Sequence, residues 1–183
     1  MVLKKIFDIL ISGIIILLVW PFVIFGLLIS YFELQEFPIF KHERIGQYGK
    51  VIYIYKIRTL SSKQVFSQGK KINGSKYCAI LRKYSFDELL QLINVLKGEM
   101  ALIGPRPVTK YEWDNYIPAT DAERQLILSF KPGLTGLWQV NGRNELNYQQ
   151  RLEMDIKYCQ TYSISNDWII ALKTISTIIN GTG

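Results

Sequence analysis

The sequence predicts an α+β fold that is mostly helical and attached to a membrane through its N-terminus. Three observations lead to this prediction: an uncharged run of 24 residues from Ile9 to Phe32, two β-rich runs after it, and helical periodicity from Ser85 onwards. At 183 residues, the chain has room for one globular domain and an attachment. We therefore expect a membrane segment at residues 1–32 and one folded domain at residues 33–183.

The apolar run follows Lys4 and Lys5 and is too long for the core of a signal peptide, so we expect it to stay in the mature protein. Trp20-Pro21 lies at its centre, where proline removes a backbone donor and favours a bend. Each half of a helix broken there is about 18 Å long, against a hydrocarbon core of about 30 Å. Basic flanks on both sides favour a re-entrant helix-break-helix in one leaflet, and a kinked transmembrane helix is the alternative.

The remaining elements follow from local patterns. Residues 38–60 predict a β-hairpin that turns around Gly46-Gln47-Tyr48-Gly49, and residues 61–76 predict a loop. A helix is predicted from Ser85 to about Leu96, with an apolar face formed by Leu89, Leu92, Ile93 and Leu96. Further helices are predicted at about residues 109–117, 120–129, 147–161 and 166–180. The last two are amphipathic and suit either the membrane interface or the protein core.

Composition narrows the chemistry. A net charge of +7 favours anionic partners, and the isolated Cys78 and Cys159 fit a reducing compartment. With His42 as the single histidine, a histidine-rich metal site within one chain is excluded. The sequence motifs of P-loop, dinucleotide-binding, zinc-protease and serine-hydrolase sites are absent. Any catalysis must therefore rely on carboxylates and basic residues.

Two acidic residues open the helix predicted at Ser85. Ser85-x-x-Glu88 has the spacing of a capping box, in which each side chain accepts a hydrogen bond from the other residue's amide. A helix N-terminus also offers amide donors to an anion and keeps a carboxylate ionised, as a nucleophile must be. A cap at Ser85 and a nucleophile at Asp87 are compatible.

Characteristic motifs occur along nearly the whole chain. They are Lys4-Lys5-Ile6-Phe7-Asp8, Glu43-Arg44-Ile45-Gly46, Lys56-Ile57-Arg58-Thr59, Leu81-Arg82-Lys83, Ser85-Phe86-Asp87-Glu88-Leu89, Gln91-Leu92-Ile93-Asn94-Val95-Leu96-Lys97-Gly98, Gly104-Pro105-Arg106-Pro107, Lys131-Pro132-Gly133-Leu134-Thr135-Gly136 and Gln139-Val140-Asn141-Gly142-Arg143-Asn144. With these motifs the chain resembles the small form of the bacterial monotopic phosphoglycosyl transferases, the polyprenyl-phosphate sugar-1-phosphate transferases.

The resemblance implies an enzyme of the bacterial inner membrane whose catalytic domain, residues 33–183, lies on the cytoplasmic face. It implies that Asp87 attacks the β-phosphate of a UDP-sugar, releases UMP and passes the phosphosugar to polyprenyl phosphate (undecaprenyl phosphate). This would be the first membrane step of glycoconjugate or polysaccharide assembly. Glu88 completes the catalytic dyad, and both acids are expected to ligate Mg²⁺. Membrane phospholipids are expected partners and nucleic acid is not.

Five further residues are expected to bind substrate: Lys56, Arg58, Arg106, Arg143 and Asp155. Arg106 lies between two prolines that restrict its backbone, which suits a guanidinium held toward a phosphate. Asp155 is given a supporting role by the resemblance alone. Two other classes of function stay open: a membrane-bound scaffold or lipid-phosphate-binding module that needs no reactive acid, and an aspartyl-phosphate hydrolase that uses water as acceptor.

Overall fold

The computed structural model describes residues 2–62 and 75–181. A long helix, α1 (Val2–Leu34), leads into an antiparallel hairpin of β1 (Ile39–Ile45) and β2 (Val51–Ile57). The elements that follow are α2 (Lys76–Lys83), a 3₁₀ helix (Phe86–Gln91), α3 (Leu92–Leu96), β3 (Ala101–Ile103), α4 (Lys110–Asn115), α5 (Asp121–Leu128), β4 (Gly133–Thr135), α6 (Tyr148–Gln160) and α7 (Ile164–Ile179). The prediction of a mostly helical protein with a long apolar N-terminal helix and a small hairpin is confirmed.

The N-terminal helix α1 continues through Pro21, so the predicted break in the helix is absent. Proline removes one backbone donor, and the turns on either side keep their own hydrogen bonds. Among the described residues, Leu3–Leu34 is the one helix long and apolar enough to cross a membrane. Its large apolar side chains are mostly exposed, while Ser12 and Ser30 are fully buried. The re-entrant topology stays a prediction.

The hairpin has the predicted position, and its register pairs Phe40 with Lys56 and Ile45 with Val51. The chain reverses over a short 3₁₀ turn at Gln47–Gly49, where Tyr48 has a φ of 57°. From β2, Ile52 and Ile54 pack in a small core with Val95 and Met100. This packing lays β2 against the segment that carries the two acids.

The segment from Ser85 differs from its prediction in backbone and in capping. It begins as a 3₁₀ helix and becomes α-helical only at Leu92. Ser85 has a φ of 57° and its side chain caps no amide, so the predicted capping box is wrong. An N-cap residue needs an extended backbone to place its hydroxyl over the first amides. The left-handed Ser85 instead accepts a hydrogen bond from Arg143 Nη2 at 2.9 Å.

The predicted apolar face of this segment is also wrong in part. Leu92 and Val95 are buried, whereas Ile93 and Leu96 are each 39% exposed. The tighter 3₁₀ winding before Leu92 changes which side chains face inward.

A short parallel pair, β3 with β4, and helix α2 lie outside the sequence predictions. The Gly104 amide donates to Thr135 at 3.0 Å, next to the pairing of Ile103 with Thr135. A Cβ at Gly104 would lie 2.5 Å from the Lys131 carbonyl oxygen, so only glycine allows this approach. The close contact fixes the start of the Gly-Pro-Arg-Pro turn. Of the loop predicted at residues 61–76, residues 63–74 lie outside the described residues.

The four C-terminal helices begin and end near their predicted positions. Capping boxes start α4, α5 and α6, at Thr109, Thr120 and Asn147. Their core contains Ile103, Trp113, Ile127, Leu152, Tyr158, Cys159 and Ile170. In α7, Ile170 faces this core, and the exposed side chains include Trp168, Ile169, Leu172, Ile175 and Ile179. That exposure favours the interfacial alternative for α7, which stays a prediction.

Candidate active site

Asp87 and Glu88 occupy the first turn of the 3₁₀ helix, beside the end of β2. Glu88 Oε1 accepts a hydrogen bond from Lys56 Nζ at 2.7 Å, and Arg106 Nη2 lies 3.5 Å from the same oxygen. Asp87 is only 9% exposed. Within residues 2–62 and 75–181, no side chain donates a hydrogen bond to its carboxylate. The two neighbouring acids therefore have different environments.

These environments move the two pKa values in opposite directions. Burial, followed by the charge of Glu88, raises the pKa of Asp87 to about 6. Burial also acts against ionised Glu88, but Arg106, Lys56 and Arg143 outweigh it and lower its pKa to about 2. Glu88 is thus charged at any physiological pH. Asp87 ionises just below neutrality, and although Lys56 and Arg82 lie near enough to favour its charged form, no described side chain forms an ion pair with it.

Arg143 reaches the dyad from the loop before α6. Its backbone is left-handed, with a φ of 45°, and its Nη2 donates to Ser85 Oγ at 2.9 Å. Its other terminal nitrogen, Nη1, is buried without a hydrogen-bond partner. A buried guanidinium donor without an acceptor is costly, so this nitrogen could donate a hydrogen bond to an anion at the dyad. The structure thus brings Lys56, Arg106 and Arg143 together around the two acids.

The structure does not bring Arg58 to the dyad. Arg58 Nε donates to the Phe37 carbonyl at 2.9 Å, and Nη1 lies 3.5 Å from Glu36 Oε2. Its guanidinium also lies over the Phe40 ring. Strand β2 ends at Ile57, so the alternation that would place Arg58 on the same face as Lys56 stops one residue earlier. Nothing in this geometry supports the expected contact with substrate.

Asp155 lies one layer behind the dyad, on α6. Its buried carboxyl group faces the backbone amide of Arg106 and the side chain of Trp138, and burial raises its pKa well above the usual value. The Arg106 guanidinium lies over the Trp138 ring, 5.4 Å from its centroid. Asp155 therefore contacts Arg106 and Trp138 rather than the dyad, and its expected contact with substrate stays a prediction.

Two positioning features escaped the sequence predictions. Asn94 is fully buried, donates to the Tyr53 carbonyl at 2.8 Å and accepts from the Tyr55 amide at 3.3 Å. It thereby fastens α3 to the β2 backbone. Phe86 stacks on Phe22 of α1, with ring centroids 6.3 Å apart. Asn94 could have been found in the sequence as an amide side chain within the apolar run Leu92–Leu96. Burial of such a side chain is unfavourable unless it is hydrogen-bonded.

The dyad fits a magnesium ion that is shared with substrate. Among the described residues, no group of three or more His, Cys, Asp or Glu side chains could enclose a metal. Mg²⁺ commonly takes one or two carboxylates and completes its octahedron with water and substrate phosphates. Among the described residues no cation forms a salt bridge with Asp87, and both ion pairs of Glu88 use Oε1. Each acid can therefore offer an oxygen to such an ion.

Comparison with known proteins identifies the family. A family model described as bacterial sugar transferase matches residues 1–181. The exopolysaccharide production protein ExoY of Rhizobium meliloti is 34% identical, over 98% of this chain and 87% of that protein. The undecaprenyl-phosphate galactose phosphotransferase of Salmonella typhimurium is 34% identical, over 99% of this chain but only 41% of its own length.

A third relative is matched over more of its length than the Salmonella protein is. The UDP-glucose:undecaprenyl-phosphate glucose-1-phosphate transferase of Caulobacter vibrioides is 33% identical, over 96% of this chain and 69% of that protein. The family match and these relatives agree with the resemblance carried by the sequence motifs. The chain belongs to the bacterial sugar transferases, a family of phosphoglycosyl transferases.

Proposed function

We propose that this protein transfers a sugar-1-phosphate from a UDP-sugar to polyprenyl phosphate, with Asp87 as the nucleophile. The observation that carries the proposal is the contrast within the dyad. Glu88 is held by Lys56 and Arg106, whereas the neighbouring Asp87 is buried and has no cationic side chain bonded to it. A carboxylate of this kind, with a pKa of about 6, is ionised at pH 7 and available for attack. The names of the relatives supply the substrate class.

The reaction divides into two displacements at one phosphorus atom. In the first, an Asp87 oxygen bonds to the β-phosphorus while the bond from that phosphorus to the bridging oxygen breaks, and UMP leaves with the bridging oxygen. In the second, a phosphate oxygen of polyprenyl phosphate attacks the same phosphorus. The bond to Asp87 then breaks, the carboxylate is restored, and polyprenyl diphosphosugar is formed.

Positive charge around the dyad supplies most of what phosphoryl transfer requires. Arg106 and Arg143 would bind the pyrophosphate, and Lys56 would hold Glu88 in its orientation, which their contacts in the structure support. A bound Mg²⁺ would neutralise charge on the phosphates, with Asp87 and Glu88 as its protein ligands. Asp155 would keep the Arg106 turn in place from behind.

The contacts of α1 support a monotopic arrangement. Near its start, Lys4 pairs with Asp167 of α7, and near its end, Ser30 donates to the Arg58 carbonyl at 2.6 Å. Along a straight helix these two residues are about 39 Å apart, which exceeds the hydrocarbon core of about 30 Å. Both ends nevertheless contact the same domain. We infer that α1 enters one leaflet only and that both of its ends lie on the cytoplasmic face. Because Phe22 of α1 stacks on Phe86, the neighbouring dyad would then lie at the depth of the lipid headgroups.

A transfer assay tests this function. Purified protein is incubated with Mg²⁺, undecaprenyl phosphate and a panel of UDP-sugars, and UMP and the lipid product are quantified. We expect UMP and lipid diphosphosugar in equal amounts from at least one sugar, and neither from Asp87→Asn. UMP released at the same rate without lipid acceptor would favour a hydrolase instead. No UMP from any sugar would favour a scaffold.

A further inference from the structure

A pocket lies apart from the dyad, between the beginning of α1 and the end of α3. Its volume is about 240 Å³. Ile9, Met100 and Phe130 contribute to its mainly apolar lining, and so do the basic residues Lys5 and Lys131. Neither Asp87 nor Glu88 lines it. The proposed transfer reaction therefore gives this pocket no role.

Two lysine side chains converge in this pocket. Lys131 Nζ and Lys5 Cε each lie 3.6 Å from the position that a Cβ on Gly98 would occupy. In the part of the chain that the structure describes, neither lysine forms a salt bridge or a side-chain hydrogen bond. Two like charges brought together repel each other when no acid is bonded to either, so an anion between them would stabilise the arrangement.

The acid that lines this pocket, Asp8, is already paired with another lysine. Lys4 lies 3.8 Å from its carboxylate and bonds to Asp167 as well. Burial and the charge of Lys5 lower the pKa of Lys131, whereas Asp8 acts in the opposite direction. Lys5 and Lys131 thus keep a net positive charge beside an apolar cavity.

We propose that this pocket binds the phosphate group of an anionic phospholipid, with Lys5 and Lys131 as its ligands. The position supports a lipid source because Lys5 belongs to the apolar helix α1, at the end that the monotopic arrangement places at the headgroup region. Basic pockets on the cytoplasmic side of membrane helices commonly bind lipid phosphates. The apolar wall would hold the glycerol and the first methylene groups of the lipid.

A lipid in this pocket would join α1 to the segment that carries the dyad. The 3₁₀ helix and α3 run from the dyad to Leu96, and Gly98 follows with a φ of 74°. Lys5 belongs to α1, and Lys131 lies two residues before β4, the strand that pairs with β3. A phosphate held by both would tie these three parts together. The inference depends on the proposed membrane placement of α1 and is independent of the transfer chemistry.

Lipid binding is measured on the full chain in detergent by native mass spectrometry and by thermal melting, with phosphatidylglycerol or zwitterionic phosphatidylcholine added. We expect one phosphatidylglycerol to be retained and to raise the melting temperature, with little effect of phosphatidylcholine. Lys5→Met and Lys131→Met should each weaken phosphatidylglycerol binding by about fivefold, since a lysine near anionic lipid contributes about 1 kcal/mol. Lys131→Arg, which keeps the charge, should retain binding.

Lys157→Met is the matched control, because it removes an exposed lysine of α6 that does not line the pocket. Equal effects of the two lipids, or equal loss of binding in the control, would overturn the proposal. If inorganic phosphate reproduces the thermal shift with the same lysine dependence, the site binds free phosphate and the lipid assignment is wrong. Labelling of Asp87 by UDP-sugar, measured in parallel, reports on the proposed function alone.

Discussion

Two adjacent carboxyl groups acquire different properties from their neighbours. Glu88 and Asp87 follow each other in one 3₁₀ turn, yet Lys56 and Arg106 contact only Glu88. The result is one acid with a pKa of about 2 and another with a pKa of about 6. With pKa values this far apart, Glu88 can stay paired with cations while Asp87 forms the covalent bond.

The rate of the covalent step is expected to depend on pH through Asp87. The attacking species is the carboxylate, so the rate should be half its maximum at pH about 6 and fall about tenfold per unit below that. Saturating Mg²⁺ should move this limb to lower pH, because a bound cation favours the ionised form. Rapid-quench measurement of UMP release from pH 4.5 to 8 checks this. A rate that rises as the pH falls from 7 to 5 would contradict it.

Asp87 is also expected to lower the stability of the fold at neutral pH. The pKa of Asp87 is higher in the folded than in the unfolded protein, so ionisation of Asp87 lowers the free energy of unfolding. This destabilisation is absent below about pH 4 and complete above about pH 6. Asp87→Asn should therefore be more stable by about 1–3 kcal/mol at pH 7 without Mg²⁺, and by little at pH 4. Denaturant titration in detergent measures this difference.

Asp114→Asn is the matched control, since Asp114 is an exposed partner of Lys110 in α4. It should change the unfolding free energy by less than about 1 kcal/mol. A loss of stability in Asp87→Asn at pH 7 would show that the carboxylate stabilises the fold, contrary to this account.

At the level of single residues, the sequence predicted most of the side chains that the structure brings together in the candidate site. Asp87 and Glu88 could be singled out as adjacent acids at a helix start, and Arg106 by its flanking prolines. Lys56 also lies where the hairpin pattern placed it. The position of the Arg58 side chain, away from the dyad, could not be predicted, because one residue past the end of β2 its direction depends on contacts with Glu36 and Phe37.

Among the elements, α3 and β2 are joined through a buried side chain. Asn94 bonds to the Tyr53 carbonyl and the Tyr55 amide, which are backbone groups of β2. Strand β2 also carries Lys56, the partner of Glu88. This amide group, together with the packing of Ile52 and Ile54 against Val95 and Met100, therefore helps to orient the dyad relative to its cation.

Replacement of Asn94 by alanine is expected to lower both stability and transfer rate. The change leaves the Tyr53 carbonyl and the Tyr55 amide without their partner, at a cost of about 1–3 kcal/mol. Thermal melting and the UMP-release rate measure the two effects. Asn115→Ala is the control, since that exposed amide bonds only within α4, to the Tyr111 carbonyl. Equal effects of the two substitutions would contradict the proposed clamp.

The sequence pattern predicted the positions of the helices better than it predicted their type, α-helix or 3₁₀ helix. The helices after residue 109 could be predicted because polar caps and apolar spacing agree there. At Ser85 the same signals suggested a capped α-helix, but the left-handed backbone and the bond from Arg143 produce a 3₁₀ turn. The pairing of β3 with β4 depends on a close approach at Gly104, which no local pattern reveals.

At the scale of the whole molecule, α1 is docked along its length on one domain. The N-terminal contact is Lys4 with Asp167, and the C-terminal one is Ser30 with the Arg58 carbonyl. The sequence pattern, with basic flanks and a central proline, left both re-entrant and spanning topologies open. Contacts of both helix ends with the same domain support the proposed placement of both ends in one compartment, with α1 unbroken rather than bent at Pro21.

Cysteine labelling tests this topology. Leu3→Cys and Gln35→Cys place a thiol at either end of α1, and the native Cys78 and Cys159 are buried. A membrane-impermeant maleimide applied to spheroplasts should label neither site until the membrane is permeabilised, and both afterwards. Labelling of one end in intact spheroplasts would indicate a spanning helix.

The central claim, covalent catalysis by Asp87, is tested most directly by the intact mass of the protein after rapid mixing with its UDP-sugar and Mg²⁺, in the absence of polyprenyl phosphate. The account predicts that the wild-type mass rises by one phosphosugar, that this mass disappears when undecaprenyl phosphate is added, and that Asp87→Asn gains none. An Asp87→Asn variant that still acquires the phosphosugar, or that still loads the lipid at the wild-type rate, would contradict it.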